Sequence, residues 1–248
     1  MMTHKDSVAA INESIPALRK RKWLYGLAAL VVVVGVGLIA AYPKITEGIA
    51  YIRALQAYVY GYPLVIMDVT REVTTASAHS GEYSAPINQF AKLRTYVSPD
   101  FKNVVRISVN SLWSFGFVDL GAEPMIVSLP DMEGRYIVMQ AVNMWTDDFG
   151  TAGTRTNGAK AANYLIAGPR WHGSAPSGVD QVFRCTTRYA WVVIQMAAAS
   201  PADFPAVHAK QDQLKITPLS AWGKPYTAQA DVPVDPNVDL TAMAGLIC

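Results

Sequence analysis

Twenty consecutive positions without a charge, Trp23–Tyr42 (WLYGLAALVVVVGVGLIAAY), constrain this chain more than any other feature. As a helix rising 1.5 Å per residue, such a run spans roughly 30 Å, the hydrocarbon thickness of a bilayer. Arg19, Lys20, Arg21 and Lys22 precede it directly, whereas Lys44 is the only base close behind it. The positive-inside rule therefore predicts a cytoplasmic N-terminus and export of everything after Tyr42. The run exceeds the core of a typical signal peptide and no A-x-A cleavage site follows. An uncleaved anchor is thus preferred to a cleaved signal. No polar stripe interrupts the run, which argues against a buried core helix. The expected location is the inner (cytoplasmic) membrane, single pass, with the main domain periplasmic and the lipid bilayer contacted through residues 23–42.

The run also explains an unusual composition: of 248 residues 51% are apolar and 16% charged, against about 25% charged in soluble proteins. Much of the positive charge lies in the juxtamembrane cluster. The exported part has no basic stripe to follow a phosphate backbone, and nucleic acid is not an expected partner. Residues 1–22 read as a loose cytoplasmic arm, 23–42 as the anchor, 43–225 as one exported domain and 226–248 as an irregular tail. Within the exported part, Thr46–Thr75 has helical periodicity, with a kink or break expected near Gly61–Tyr62 because Pro63 lacks a backbone donor. His79–Pro99 reads as a loop. Alternating apolar runs then predict strands at Val104–Val109, Leu112–Leu120, Met125–Leu129 and Tyr136–Met144, with Glu133–Gly134 as a tight hairpin turn between the last two. Thr151–Ala162 reads as an exposed loop. Asn163–Ala167, Val182–Thr186 and Tyr189–Met196 resume strands. Ser200-Pro201-Ala202-Asp203 marks the start of a helix running to about Leu214, with Ser200 as cap. The expected fold is α+β: a single N-terminal transmembrane helix, then one exported domain with a mainly antiparallel sheet and a few helices.

Chemistry concentrates in Arg106–Phe149. Arg106, Asn110, Trp113, Arg135, Asn143 and Trp145 are polar or aromatic side chains that a plain sheet does not need, and they are the expected ligand-binding residues. Asp119, Asp131, Asp147 and Asp148 are the candidate carboxylates for acid–base work; Asp147, which follows the aromatic-rich strand, is the one preferred as catalytic. His4, His79, His172 and His208 are too scattered for a metal site, and no metal or other cofactor is expected. There is no G-x-S-x-G elbow and no phosphate-binding loop. Cys185 and Cys248 leave two readings open: a bridge in an oxidising periplasm, or a buried Cys185 beside a free terminal Cys248.

Several segments together resemble the bacterial family called domain of unknown function 1254. They are AYVYGYPL (57–64), INQFAKLRT (87–95), DFKNVVR (100–106), LPDMEGRY (129–136), MWTD (144–147), GTRTNG (153–158), NYLIAGP (163–169) and the late D-x-L-K-I-T-P-L-S (212–220). The likeness covers about residues 50–225. It implies an α+β domain, usually exported, that is usually followed by a jelly-roll domain of unknown function 1214. This chain stops at Cys248, where that second domain would begin; three readings stay open: the chain is truncated, a separate polypeptide supplies the jelly-roll half as a partner, or that half is dispensable. The family pattern after V-V-R is Pro-Asn-x-Asp-Thr-Leu-Tyr; here it is Ile107 to Trp113. Asn143 stands where the family has an aspartate, and Lys92 where it has a histidine. An amide keeps the shape and hydrogen bonds of a carboxylate but cannot titrate. The favoured reading is a membrane-anchored periplasmic binding or interaction module, one half of a two-domain envelope assembly, taking a small-molecule or glycan ligand. The alternative is an envelope hydrolase of polar small molecules or glycans, with Asp147 as base, Arg106 and Arg135 holding substrate, and Trp113 and Trp145 stacking on it; this copy could also be inactive.

Overall fold

The computed structural model describes residues 4–98, 100–101, 107–229, 232–235 and 238. Arg106, Cys248 and the apolar end Leu240–Cys248 lie outside the described residues, as does half of the strand expected at Val104–Val109; its described half, 107–109, is not a strand. The chain divides into two compact units, Met1–Tyr60 and Gly61–Cys248.

One helix, α1 (His4–Thr75), runs for 72 residues. This corrects one expectation and narrows another. The segment expected as a loose arm is helical from His4, and of the kink or break expected near Gly61–Tyr62 the break is absent. A proline deletes one N–H and crowds one carbonyl four residues back, but the flanking bonds continue across that single gap. Threonines reinforce the turns: Thr46 Oγ1 donates to the carbonyl of Tyr42 at 3.0 Å and Thr70 Oγ1 to that of Ile66 at 2.7 Å. In the first unit, α1 carries the apolar run, long enough to cross a membrane, and none of that window is buried.

The second unit is a mixed α/β domain with two sheets rather than the one expected. The first sheet has the order β1 (Ala91–Lys92), β2 (Ser111–Asp119), β8 (Tyr189–Ala197), β4 (Ile137–Asn143), β5 (Asp148–Gly153), all antiparallel. The second has the order β7 (Gln181–Arg184), β6 (Ala162–Ala167), β3 (Met125–Leu129), β9 (Lys215–Pro218), with only the β6–β7 pair parallel. Alternation does the sorting. In β4 buried and partly buried residues alternate along the whole strand, as the period-2 geometry of a pleated strand requires. Its buried set, Ile137, Met139 and Ala141, joins Ile194 and Met196 of β8. The same cluster takes in Val127 of β3, Tyr164 of β6 and Ile216 of β9, so the sheets pack face to face. The outer face of the first sheet is covered by the end of α1, where Met67 packs on Phe117 and Met144. Trp171, Leu219 and Trp222 cover Ile126 and Leu165 on the outer face of the second.

The Glu133–Gly134 turn exists, and both residues have positive φ, 53° and 85°, as a tight primed turn demands. It does not close a hairpin, however: β3 belongs to the second sheet and β4 to the first. The turn carries the chain between sheets. Thr151–Ala162 is likewise not simply a loop, because Thr151–Gly153 completes β5 and α2 (Thr154–Asn157) follows. The late helix is shorter than expected: a 3-10 turn at Pro201–Asp203 leads into α3 (Phe204–Gln211). Ser200 makes no side-chain cap there. The Asp203 carboxylate is instead committed to the Ala199 N–H and to Arg135.

Candidate functional site

The described residues singled out in the sequence fall into two groups at opposite ends of the first sheet. Asn110, Trp113 and Arg135 form one. Arg135 donates to the carbonyl of Ala197 at 2.8 Å and grips Asp203 with both terminal nitrogens. That guanidinium, with the Ala199 N–H, holds the Asp203 carboxyl down to about 2. Such a bidentate pair neutralises Arg135 and fastens the end of β8 to the start of α3. Asn110 is exposed, with its Oδ1 accepting from Ser108 Oγ at 2.7 Å. The Trp113 indole donates to the Ser108 carbonyl at 3.1 Å. Asn110, Arg135, Tyr136 and Asp203 line a wide, open groove of 820 Å³.

Asn143, Trp145 and Asp147 form the other group, in the turn from β4 to β5. Asn143 is 2% exposed and organises that turn. Its Oδ1 accepts from the N–H groups of Trp145 (2.8 Å) and Asp147 (3.0 Å), while its amide donates to Asp147 Oδ2 and Thr186 Oγ1. The turn places Thr146 at φ 68°, a left-handed conformation that the Asn143 bonds support. Asp147 is exposed. Between Ile137 and Asn143 lie six strand steps, roughly 20 Å at about 3.4 Å each. Asp147 therefore does not share a pocket with Arg135 or Trp113, and the convergence a hydrolase would need is not formed among the described residues.

Another cavity lies where the sequence pointed only through Lys92, the residue that replaces a family histidine. β1 and β9 are edge strands of the two sheets, and between them opens a cleft of 580 Å³. Its walls include Gln89, Lys92, Arg94, Lys215, Thr217 and Tyr226. Three cations face one lining carboxylate, Glu82. Lys92 and Arg94 share Asp212, at 3.3 Å from Lys92 and in closer contact with Arg94. The Arg94 guanidinium, with Lys92 adding to it, keeps that carboxyl below the ordinary aspartate range. Lys215 makes no hydrogen bond or ion pair among the described residues. The cleft is held from behind by Gln211 of α3, fully buried, whose two amide N–H groups reach three acceptors, the carbonyls of Leu93 and Trp113 and Ser114 Oγ, one hydrogen being shared. Among the described residues no group of three or more His, Cys, Asp or Glu converges to hold a metal. A usable signal was present in the sequence: Lys92 and Lys215 sit in two of the family-like segments. They stand more than a hundred residues apart, and β1 and β9 are too short to announce themselves as strands.

The model of the family described as "Protein of unknown function (DUF1254)" matches residues 87–218. That is more than half of the chain, and the chain belongs to this family. Among solved structures, the VPA0106 protein from Vibrio parahaemolyticus is similar, with a TM-score of 0.56 and 26% identity over 77% of this chain and 44% of that one. The present chain thus spans less than half the length of that relative. An uncharacterized protein from Burkholderia cenocepacia is more distant, with a TM-score of 0.35 and 12% identity over 53% of this chain and 34% of that one. No curated protein matches.

Proposed function

We propose, with membership of this family as the premise, that the protein is a membrane-anchored periplasmic binding module whose ligand enters the cleft between β1 and β9. One observation carries the reading: residues from near the two ends of the family-matched segment, 88–94 and 214–217, meet in that cleft. The cleft has the size usual for small-molecule sites, and its excess of cations favours an anionic ligand. Binding is the reading we prefer because the described lining residues hold cations and hydroxyls with a single carboxylate, Glu82. The basic cluster Arg19–Lys22 and the uncharged run behind it support an inner-membrane anchor with the domain outside. The greater length of the Vibrio relative is compatible with this module working beside a further domain; that such a domain is a jelly roll comes only from the family resemblance.

The test uses the full-length protein in detergent and a panel of small mono- and dianions, followed by thermal shift. Stabilisation by at least one anion that is lost in the Lys92→Met/Lys215→Met double variant is the expected result. No anion-dependent shift, or one unchanged in the double variant, would sink the reading.

A further inference from the structure

The cleft does not end at β9. Across the outer face of the second sheet, Asn163 of β6, Ser128 of β3 and Lys215 of β9 are register partners and form one polar row over three strands. Two residues along, the same face turns apolar at Leu165 and Ile126, which Trp222 covers. The segment after Trp222 walls the polar row and encloses a second cavity of 670 Å³. Lys215, Thr217, Tyr226 and Thr227 line both cavities, so the two are lobes of a single trough folded around the edge of the second sheet.

The lobes differ in chemistry. The first carries Lys92, Arg94 and Lys215. The second sets the Trp222 ring beside Asn163, Ser128 and Gln213. Ser128 Oγ donates to Asn163 Oδ1 at 2.7 Å and Asn163 Nδ2 to the Gly178 carbonyl at 2.9 Å, which leaves one amide N–H and the serine lone pairs unspent. Trp222 Nε1 is fixed on the Ser177 carbonyl at 3.0 Å, so the ring cannot swing away. Tyr226, 41% exposed, stands between the lobes. Lys224 adds a further cation to the second lobe, so the trough stays net positive after Glu82 and Asp212 are counted.

Amides and hydroxyls in a plane, flanked by aromatic rings, suit a pyranose, which has hydroxyl edges and an apolar C–H face. Cations beside them suit a sugar that bears a carboxylate. We propose that the trough binds an acidic oligosaccharide, with a uronate carboxylate against Lys92 and Lys215 and the next ring lying along Tyr226 and Trp222 toward Asn163 and Ser128. This deepens the binding reading above and rests on it.

The test is calorimetric titration of the full-length protein in detergent with tri-galacturonate, with a neutral galactose trimer and inorganic phosphate as comparators. Tri-galacturonate should bind at least tenfold more tightly than either. Lys215→Met and Tyr226→Ala, both at surface positions, should each weaken it at least fivefold while near-UV circular dichroism is unchanged. Equal binding of the neutral trimer shows that no carboxylate is read and overturns the acidic-saccharide proposal together with the anion reading of the cleft. Equal binding of phosphate with no effect of Tyr226→Ala overturns the saccharide proposal and leaves the anion cleft standing. Absence of binding by any anion, with or without Lys92, overturns both.

Discussion

Replacing Gln211 by leucine should cost the domain about 2–4 kcal/mol, for reasons that can be counted. The side chain is fully buried, and its two amide N–H groups serve the Leu93 carbonyl at 3.1 Å, the Trp113 carbonyl at 3.0 Å and Ser114 Oγ at 3.1 Å, one hydrogen being shared. Its Oε1 accepts from Arg94 at 3.3 Å. Leucine matches its volume closely enough that no large cavity opens, so the cost is electrostatic. The Trp113 carbonyl keeps the Leu93 N–H at 2.8 Å, but the Leu93 carbonyl loses the Gln211 donor. Each hydrogen bond is worth about 1 kcal/mol net, and an orphaned buried carbonyl costs about 1–3 kcal/mol. For a domain of this size that corresponds to a fall in melting temperature of roughly 5–15 °C. Urea unfolding of the full chain in detergent, followed by near-UV circular dichroism, measures it. Gln213→Leu is the control: Gln213 is exposed and bonds only the Ala209 carbonyl, so its change should stay within about 0.5 kcal/mol. A loss below 1 kcal/mol for Gln211→Leu would refute the claim that this amide ties α3 to the β1–β2 edge. Because Arg94 is held by the same residue, the variant should also weaken anion binding in the cleft.

Asn143→Ala should destabilise by about 2–4 kcal/mol, since it removes four hydrogen bonds from a buried turn, whereas Asp147→Ala should change stability by less than about 1 kcal/mol; similar losses in both would show that the turn is organised otherwise. Asp203 has a folded-state pKa of about 2, below its ordinary 3.8, so its contribution is fully present above the ordinary value and is lost as pH falls toward 2. The urea midpoint of Asp203→Asn should therefore be lower than that of the wild type near neutrality, and the gap should narrow on acidification through that window; a constant gap would contradict it. At Gly116 an added Cβ would lie 2.2 Å from the Gln89 carbonyl oxygen, so Gly116→Ala should push the 88–90 segment off β2, costing at least about 2 kcal/mol and weakening the cleft; an unchanged midpoint would refute it. Deleting Trp23–Tyr42 should move the protein from the carbonate-resistant membrane pellet to the supernatant, and a pellet-bound deletion variant would count against the anchor.

What the sequence could say about this protein was local. The uncharged stretch, the period-2 runs that became β2, β3, β4, β6 and β8, and the turn at Glu133–Gly134 are all written in residues a few positions apart, where sterics and burial pattern act. The family resemblance was also legible, because it rests on ordered motifs and not on contacts. Pairing was not legible. Nothing near Glu133 says that β3 and β4 part company, because that depends on β6, β8 and β9 offering better-matched edges far along the chain. That Arg135 pairs with Asp203, 68 residues away, is not written near either residue. Nor does residue type say that Asn143 and Trp145 lie at the opposite end of the first sheet from Arg135, since that depends on position along β4. The cleft itself is the plainest case. It joins a two-residue strand to a four-residue one across more than a hundred residues, and Gln211 secures it from a third element. Local patterning decides which residues can be buried; only the closing of both sheets around one core decides which edges remain open, and that is where Lys92 and Lys215 come to face the same space.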